Sequence, residues 1–272
     1  MTRDRTHFCK CFCLFLLFIS VLFAPPEARP QRQEIRVAAA ADLKFAMSEL
    51  AAGFEKQTGT SVSVTYGSSG NFFSQIQNGA PFDLFFSADI EYPKKLEAAG
   101  FAEPGTLYEY ATGRLVIWAP LDSRLDVAKS GWQILLDPTA QKIAIANPEH
   151  APYGRAAVEA LGKAGIYESV KAKLVYGENI SQAAQFVQSG NAQVGIIALA
   201  LAISPPMKDG KRWDIPAEMH LPIEQAAIVL RNARNKDAAQ VFLKFVKGAP
   251  SRTILSKYGF ALQGKTKTEE KR

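Results

Sequence analysis

The amino-acid sequence predicts an α/β fold that is divided into two lobes with a cleft between them. Strand-like and helix-like patterns alternate along the whole chain, which favours layers of helices on mixed, mostly parallel sheets. Once a predicted leader is removed, about 240 residues remain, which is more than one hydrophobic core usually holds. Four turns rich in small residues follow predicted strands, and open α/β sheets bind ligands at such strand ends.

Residues 1–28 are expected to be a secretory signal peptide rather than part of the fold. Basic residues precede an apolar run of 14 residues at 11–24, and small residues and prolines follow it. Cleavage after Ala24 or after Ala28 fits this pattern. The alternative is an N-terminal membrane anchor, but the run is short for a span. We therefore expect a soluble periplasmic protein.

Charge and cysteine content narrow the possible classes of protein. All three cysteines lie at positions 9–13, so the mature chain would contain neither a disulfide nor a lipid-anchoring thiol. Removing three basic and two acidic leader residues from totals of 32 and 26 leaves 29 and 24, a mild excess of +5. Several of these positive charges lie at 264–272, which we expect to be a disordered tail. No basic stripe with interleaved aromatic residues is present, so nucleic-acid binding is not expected.

In the first half of the chain, predicted strands alternate with predicted helices, and turn-forming residues mark where they end. The helix predicted from Asp42 to Gln57 has apolar residues at helical spacing, and Gly59 follows its end. The other elements predicted here are strands at 34–40, 61–66 and 82–87 and helices at 71–78 and 92–99.

A second series of elements begins after a strand at 115–120. Its patterned segments lie at 132–136, 142–146, 154–163, 170–175, 181–189 and 194–199, followed by a strand at 222–230 and a helix at 237–247. Two crossing segments, near 115–119 and 221–225, would divide the chain. We expect a discontinuous lobe 1 at 34–115 plus 223–263, and lobe 2 at 116–222.

The four small-residue turns predict an anion site. Each leads from a strand into a helix, where backbone N–H groups lack partners within the helix. The second turn places Ser68 and Ser69 between Gly67 and Gly70, and the glycines let another molecule come close. No Lys or Arg stands at the centre of the turns, so N–H and O–H donors would hold the anion.

Each candidate residue of these turns also has an ordinary structural interpretation. We expect Asp42 to cap its own helix and to turn its carboxylate away from the anion, while its N–H and that of Leu43 face the ligand. Ser68 or Ser69 could be a simple helix cap, and so could Asn179. Tyr153 could pack on the surface as a turn aromatic.

Metal binding and catalysis find little support in the sequence. His150 and His220 have no partners at metal-ligand spacing, and Asp83 and Asp89 are expected to hydrogen-bond the loop after a strand. Neither a nucleophile elbow nor a phosphate-binding P-loop is present. An exported α/β hydrolase stays as an alternative, but Ser69 would need a base nearby. We expect no enzyme activity and no cofactor.

Several segments resemble the molybdate-binding periplasmic components of ABC transporters. The matching segments are 37–43, 66–70, 78–89, 147–154, 195–197 and 257–260, so the resemblance covers the whole mature domain. The resemblance implies the type II periplasmic-binding-protein fold, with two α/β lobes and a hinge. It also implies a monomer that binds molybdate or tungstate and delivers it to an inner-membrane ABC permease. Molybdate would be held as an oxyanion, with no protein atom bound to the metal.

The resemblance also implies a ligand shell. It would consist of the Ser69 hydroxyl, the backbone N–H groups of Tyr153 and Ile180, and the turn at Asp42. Many relatives have Ser at the position of Asp42, and some have a Tyr donor at the position of Ala198, so two side-chain donors are replaced here. Tyr153 would contribute its backbone only.

The chemistry of molybdate suits such a shell. Molybdate at neutral pH is a tetrahedral dianion without protons, so a shell of donors fits it, whereas hydrogen phosphate also requires an acceptor. Hydrogen bonds to charged groups contribute ~1.5–3 kcal/mol each, so about six, or ~9–18 kcal/mol together, are of the size needed to overcome an association cost of ~4–15 kcal/mol. Another oxyanion, sulfate or phosphate, is the alternative ligand. Lobe closure on binding is expected from the hinge arrangement.

Overall fold

The computed structural model describes residues 33–262, and two five-stranded mixed sheets organise them. The predicted leader at 1–28 and tail at 264–272 lie outside the described residues. Helices flank both sheets, so the expected two-lobed α/β class is confirmed. Within residues 33–262, no helix is both long enough and apolar enough to cross a membrane.

The first sheet carries the strand order β2-β1-β3-β10-β4. Its strands are β1 (Glu34–Ala40), β2 (Ser61–Gly67), β3 (Leu84–Ser87), β4 (Tyr108–Gly113) and β10 (Ile223–Val229). β1 pairs parallel with β2 and β3, and β10 pairs antiparallel with β3 and β4. One face packs on a cluster that includes Val37 and Phe86, and the other on a cluster that includes Ala38 and Phe85. Burial on both faces explains why the central strands β1 and β3 are largely apolar, whereas β2 at the edge is partly exposed and mixes Ser and Thr with Val.

The second sheet has the order β7-β6-β8-β5-β9. Its strands are β5 (Leu115–Ala119), β6 (Ile143–Ala146), β7 (Leu174–Gly177), β8 (Val194–Ala198) and β9 (Lys211–Asp214). β6 pairs parallel with β7 and β8, while β5 pairs antiparallel with β8 and β9. Among the described strands, parallel pairings are therefore as frequent as antiparallel ones and not the majority that the alternation suggested.

Most of the helices connect successive strands, and the last two follow β10. They are α1 (Lys44–Thr58), α2 (Ser69–Gln77), α3 (Glu91–Ala98), α4 (Val127–Ser130), α5 (Pro152–Lys163), α6 (Tyr167–Val170), α7 (Ile180–Gln188), α8 (Leu199–Ala202), α9 (Lys236–Lys247) and α10 (Ala249–Lys257). Short 3-10 turns occupy Ala41–Leu43, Gly131–Leu135, Lys171–Lys173 and Ala217–Met219. α1 ends where Gly59 takes φ of 75°, a left-handed conformation that favours glycine.

Strand register places the four predicted turns in two adjacent pairs. In the first sheet Ala40 and Gly67, the last residues of β1 and β2, are register partners. In the second sheet Ala146 and Gly177, the last residues of β6 and β7, are likewise paired. Parallel strands end at the same edge of a sheet, so each sheet presents two turns at one edge.

Candidate functional site

The four predicted turns meet around one small cavity. Its volume is about 10 Å³, roughly the space of one water molecule. A larger ligand therefore has to part the walls. The lining residues are Ala40, Ala41 and Asp42 from the first turn, Gly67, Ser68 and Ser69 from the second, Ala151, Pro152 and Tyr153 from the third, Ile180 from the fourth, and Ala88 after β3.

Ser69 begins α2 and is fully buried in the cavity wall. Its Oγ accepts a hydrogen bond of 2.9 Å from the Ala88 N–H. This bond uses a lone pair of the hydroxyl and leaves its proton to be donated. Among the described residues, no histidine or carboxylate is hydrogen-bonded to Ser69 Oγ, so the base that a serine nucleophile requires does not contact it.

Ser68 precedes α2 and also lines the cavity. Its backbone is extended as at a helix cap, yet its side chain makes no capping hydrogen bond. The buried Ser68 Oγ lacks a hydrogen-bond partner among the described residues. A buried hydroxyl without a partner costs free energy, which a ligand oxygen could recover.

The prediction that Asp42 caps its helix is wrong. The chain enters α1 through the 3-10 turn Ala41–Leu43, so Asp42 lies inside the turn and caps neither helix. Its buried side chain lies in the cavity wall and contacts α5 and β10 instead, where Oδ2 accepts hydrogen bonds from Tyr153 Oη at 2.9 Å and Gln225 Nε2 at 2.6 Å. Oδ1 is buried and has no partner among the described residues.

Burial controls the ionisation of Asp42. Loss of solvation raises the pKa of Asp42 from 3.8 to about 6, against hydrogen bonds from Gln225 and Tyr153 that lower it. The N–H groups of Asp42 and Leu43 also lower the pKa, although neither makes a hydrogen bond of good geometry with the carboxylate.

Tyr153 is buried rather than packed on the surface. Besides donating to Asp42, its Oη accepts a hydrogen bond of 3.1 Å from Gln225 Nε2. Burial raises the pKa of Tyr153 well above its usual value, and the Asp42 carboxylate adds to this effect. Tyr153 is the second residue of α5, where a backbone N–H has no partner in its own helix. That N–H suits the expected role of ligand donor.

Gln225 is a residue of the site that the sequence analysis missed. It lies on β10 and is fully buried, and its Oε1 accepts a hydrogen bond of 2.8 Å from Tyr110 Oη. Gly113 leaves room for this network, since a Cβ there would lie 2.2 Å from Tyr153 Oη. The available signal was a lone amide in an apolar strand, because buried polar groups need partners.

The fourth turn separates two roles. Asn179 is the cap of α7, with Oδ1 accepting from Ser181 N at 3.0 Å and Gln182 N at 3.1 Å. Ile180 follows it and lines the cavity, and its N–H is not taken by this cap. Of the suggested neighbours, Leu43 packs in the first-sheet core, and Ala198 lies at the end of β8 away from the cavity wall.

The two lobes touch at the mouth of the cavity. Gly70 N donates to His150 O at 2.9 Å, and Asn71 Nδ2 donates to Glu178 Oε1. A Cβ on Gly70 would lie 2.7 Å from His150 O, so glycine permits this approach. Arg155 adds an ion pair across the cleft to Asp89.

A larger open groove of about 410 Å³ lies beside this cavity. Its walls carry four carboxylates and a single guanidinium, from Asp89, Glu91, Glu159, Glu224 and Arg155. The excess of negative charge does not suit an anion. Donor chemistry therefore favours the small cavity over the larger groove. Within the described residues, no group of three or more His, Cys, Asp or Glu could hold a metal ion.

Comparison with known proteins agrees with this architecture. A family model for bacterial extracellular solute-binding proteins matches residues 35–261. Molybdate-binding protein ModA of Azotobacter vinelandii is 40% identical over 238 residues, covering 86% of this chain and 92% of the relative. ModA of Rhodobacter capsulatus is 38% identical over 230 residues, covering 85% and 89%.

A solved structure supports the same family and fold for this chain. The periplasmic molybdate-binding protein of Azotobacter vinelandii superposes with a TM-score of 0.79 at 35% identity, covering 84% of this chain and 99% of that one. The resemblance seen in the sequence is thereby confirmed at the level of family and fold. The chain belongs to the bacterial extracellular solute-binding proteins.

Proposed function

We propose that this chain captures molybdate as an intact oxyanion between its two lobes and delivers it to an ABC permease. The observation that carries the proposal is a cavity at four helix-opening turns whose walls contain hydroxyl and N–H donors but no Lys, Arg or His among the lining residues. Such walls suit an unprotonated dianion. The names of relatives at 40% and 38% identity support molybdate as that anion.

The proposed ligand shell consists of the Ser69 hydroxyl, the N–H groups of Tyr153 and Ile180, and the first turn around Asp42. Ser68 joins it through its unpartnered hydroxyl. Tungstate has the same charge and shape as molybdate, so we expect the site to accept it as well. The chain would act as a monomer in the periplasm, with lobes at 34–115 plus 223–263 and at 116–222.

Calorimetric titration with molybdate, tungstate, sulfate and phosphate tests this function. Tight binding of molybdate and tungstate with weak or no binding of the other two is expected. Sulfate is a smaller tetrahedral dianion, so preferential sulfate binding would overturn the assignment.

Hydrogen phosphate is a second candidate because of one observation. Asp42 places an acceptor oxygen without a partner beside the cavity, and hydrogen phosphate carries a proton that such an oxygen could accept. Phosphate binding that exceeds molybdate binding, and that Asp42→Asn abolishes, would establish this alternative.

A further inference from the structure

Asp42 presents a buried carboxyl group in the wall of a site that is proposed to bind a dianion. Its relative exposure is 1%, and a carboxylate beside a bound dianion would bring three negative charges together in a closed cavity. Like charges at such distances cannot all persist away from water. The side chain must either leave or lose its charge.

The structure holds this side chain in place. Tyr153 Oη and Gln225 Nε2 both donate to Oδ2, and Gln225 is itself fixed by Tyr110. These partners come from three different elements, α5, β10 and β4, and all are buried. Swinging the carboxyl group out would leave buried donors without partners, which is costly.

Among the described residues, no positively charged group hydrogen-bonds or raises or lowers the pKa of Asp42. The side chains that face Asp42 from the elements packed against it are neutral: Tyr153, Gln225 and Tyr110. Beside the cavity, the Arg155 guanidinium is already paired with Asp89, and His150 lies beside Glu178.

We propose that Asp42 binds the captured oxyanion as a neutral carboxylic acid, so that each dianion enters the site together with one proton. The proton is taken from solvent and resides on Oδ1, which has no partner of its own. The resulting O–H donates to an oxygen of the anion and supplies a side-chain donor at this turn. When the lobes part, water solvates the carboxyl group and the proton returns to solvent.

The hydrogen bonds to Asp42 and its raised pKa are both compatible with a protonated carboxyl group. Oδ2 keeps both of its donors whether or not Oδ1 carries the proton, so the network survives ionisation. Burial already raises the pKa of Asp42 to about 6, and an adjacent dianion would raise it further. The inference rests on the proposed function, because the dianion supplies the charge that drives protonation.

Proton-linked calorimetry of the mature chain with molybdate tests the proposal. Titrations at pH 7.5 in several non-phosphate buffers that differ in ionisation enthalpy give the number of protons taken up. About one proton per molybdate is expected for the unmodified protein. The dissociation constant should rise by about tenfold per pH unit where the free carboxyl group is ionised.

Two variants assign the proton to a residue. Asp42→Asn keeps the shape of the side chain and should reduce the uptake to near zero, with an affinity that no longer depends on pH. His150→Gln removes the imidazole beside the cavity and should keep the uptake, whatever its effect on affinity. Uptake that persists in Asp42→Asn, or that disappears in His150→Gln, would overturn the proposal.

The calorimetric results distinguish a failure of proton-linked binding from a failure of the proposed molybdate capture. Tight molybdate binding without proton uptake refutes the inference and leaves molybdate capture standing. Absence of molybdate binding refutes both. If Asp42→Asn does not fold, as judged by circular dichroism, the unmodified protein and His150→Gln still test the proposal. Each should take up about one proton per molybdate, and no uptake would refute it.

Discussion

The hydroxyl of Ser69 is placed to act as a side-chain donor to the anion. Its lone pair is engaged by the Ala88 N–H, which orients the hydroxyl and leaves its proton without an acceptor among the described residues. A donor that is oriented before binding loses little conformational freedom when the ligand arrives.

Replacing Ser69 by Ala should weaken molybdate binding by roughly 1.5–3 kcal/mol, the usual contribution of a hydrogen bond to a charged group. Calorimetry measures the change. Ser74→Ala, on the exposed face of the same helix, is the matched control and should bind like the unmodified protein. Equal affinities for the two variants would remove Ser69 from the shell.

Asp42 should make the stability of the protein depend on pH. Its pKa is raised from 3.8 to about 6 on folding, so the folded state binds more protons between these values. Stability is therefore greatest below pH ~4 for this group and is lost as pH rises to about 6. Asp42→Asn lacks this loss. Its free energy of unfolding, taken relative to that of the unmodified protein, should therefore rise by ~3 kcal/mol from pH 4 to pH 8. Urea unfolding at both pH values measures it, and a pH-independent difference would contradict the assignment.

The sequence predicts some residues of the site and not others. Ser69, Tyr153 and Ile180 were expected at the site because the family resemblance assigns them there and each stands at a strand-to-helix turn, and all line the cavity. The cap assigned to Asp42 failed because capping depends on whether the helix opens with a 3-10 turn. Gln225 could not be placed beside Asp42, since 183 positions separate them.

At the scale of elements, the opening of α2 brings the two lobes together. Gly70 approaches the carbonyl of His150, and no side chain fits between them. The glycine is therefore required for the contact of one lobe with the other rather than for the conformation of its own helix.

Gly70→Ala should weaken molybdate binding by at least about tenfold, because the added methyl group holds the cleft open. The fold itself should be little affected, since the clash with backbone is between lobes, and the other close atom, Tyr92 Oη at 2.9 Å, is the end of a side chain that can shift. Gly162→Ala is the matched control: its Cβ would meet nothing within 4 Å, and alanine favours a helix by roughly 0.5–1 kcal/mol. Thermal melts and calorimetry on both variants separate the two effects. Unchanged binding in Gly70→Ala would show that this contact is not needed.

Elements with strong periodicity were predicted, and weakly patterned ones were missed. The long amphipathic helix α1 and the apolar strands β1 and β5 follow from their own residues. β4 and β9 were not predicted, because Tyr108–Gly113 and Lys211–Asp214 are short and mix polar with aromatic residues, and pairing with β10 and β5 defines them. α10 was missed because it follows α9 with only Gly248 between them.

At the scale of the whole molecule, capture requires the lobes to move. The cavity of about 10 Å³ is too small for entry of a tetrahedral oxyanion, and contacts across its mouth close it. The described structure has its lobes in contact, so we expect the free chain in solution to open and saturating molybdate to return it to this closed form. The radius of gyration in small-angle X-ray scattering should then decrease on binding, with chloride at equal ionic strength as the control. An unchanged radius at saturation would exclude lobe closure.

The central claim is that molybdate binds in the cavity where the four turns meet. Anomalous diffraction near the molybdenum absorption edge, on crystals grown with molybdate, locates the metal directly. One peak is expected between the lobes, with oxygens of the anion within hydrogen-bond distance of Ser69 Oγ and of the backbone N atoms of Tyr153 and Ile180. A peak confined to the acidic groove beside Asp89 and Glu224, or to the outer surface, would contradict it.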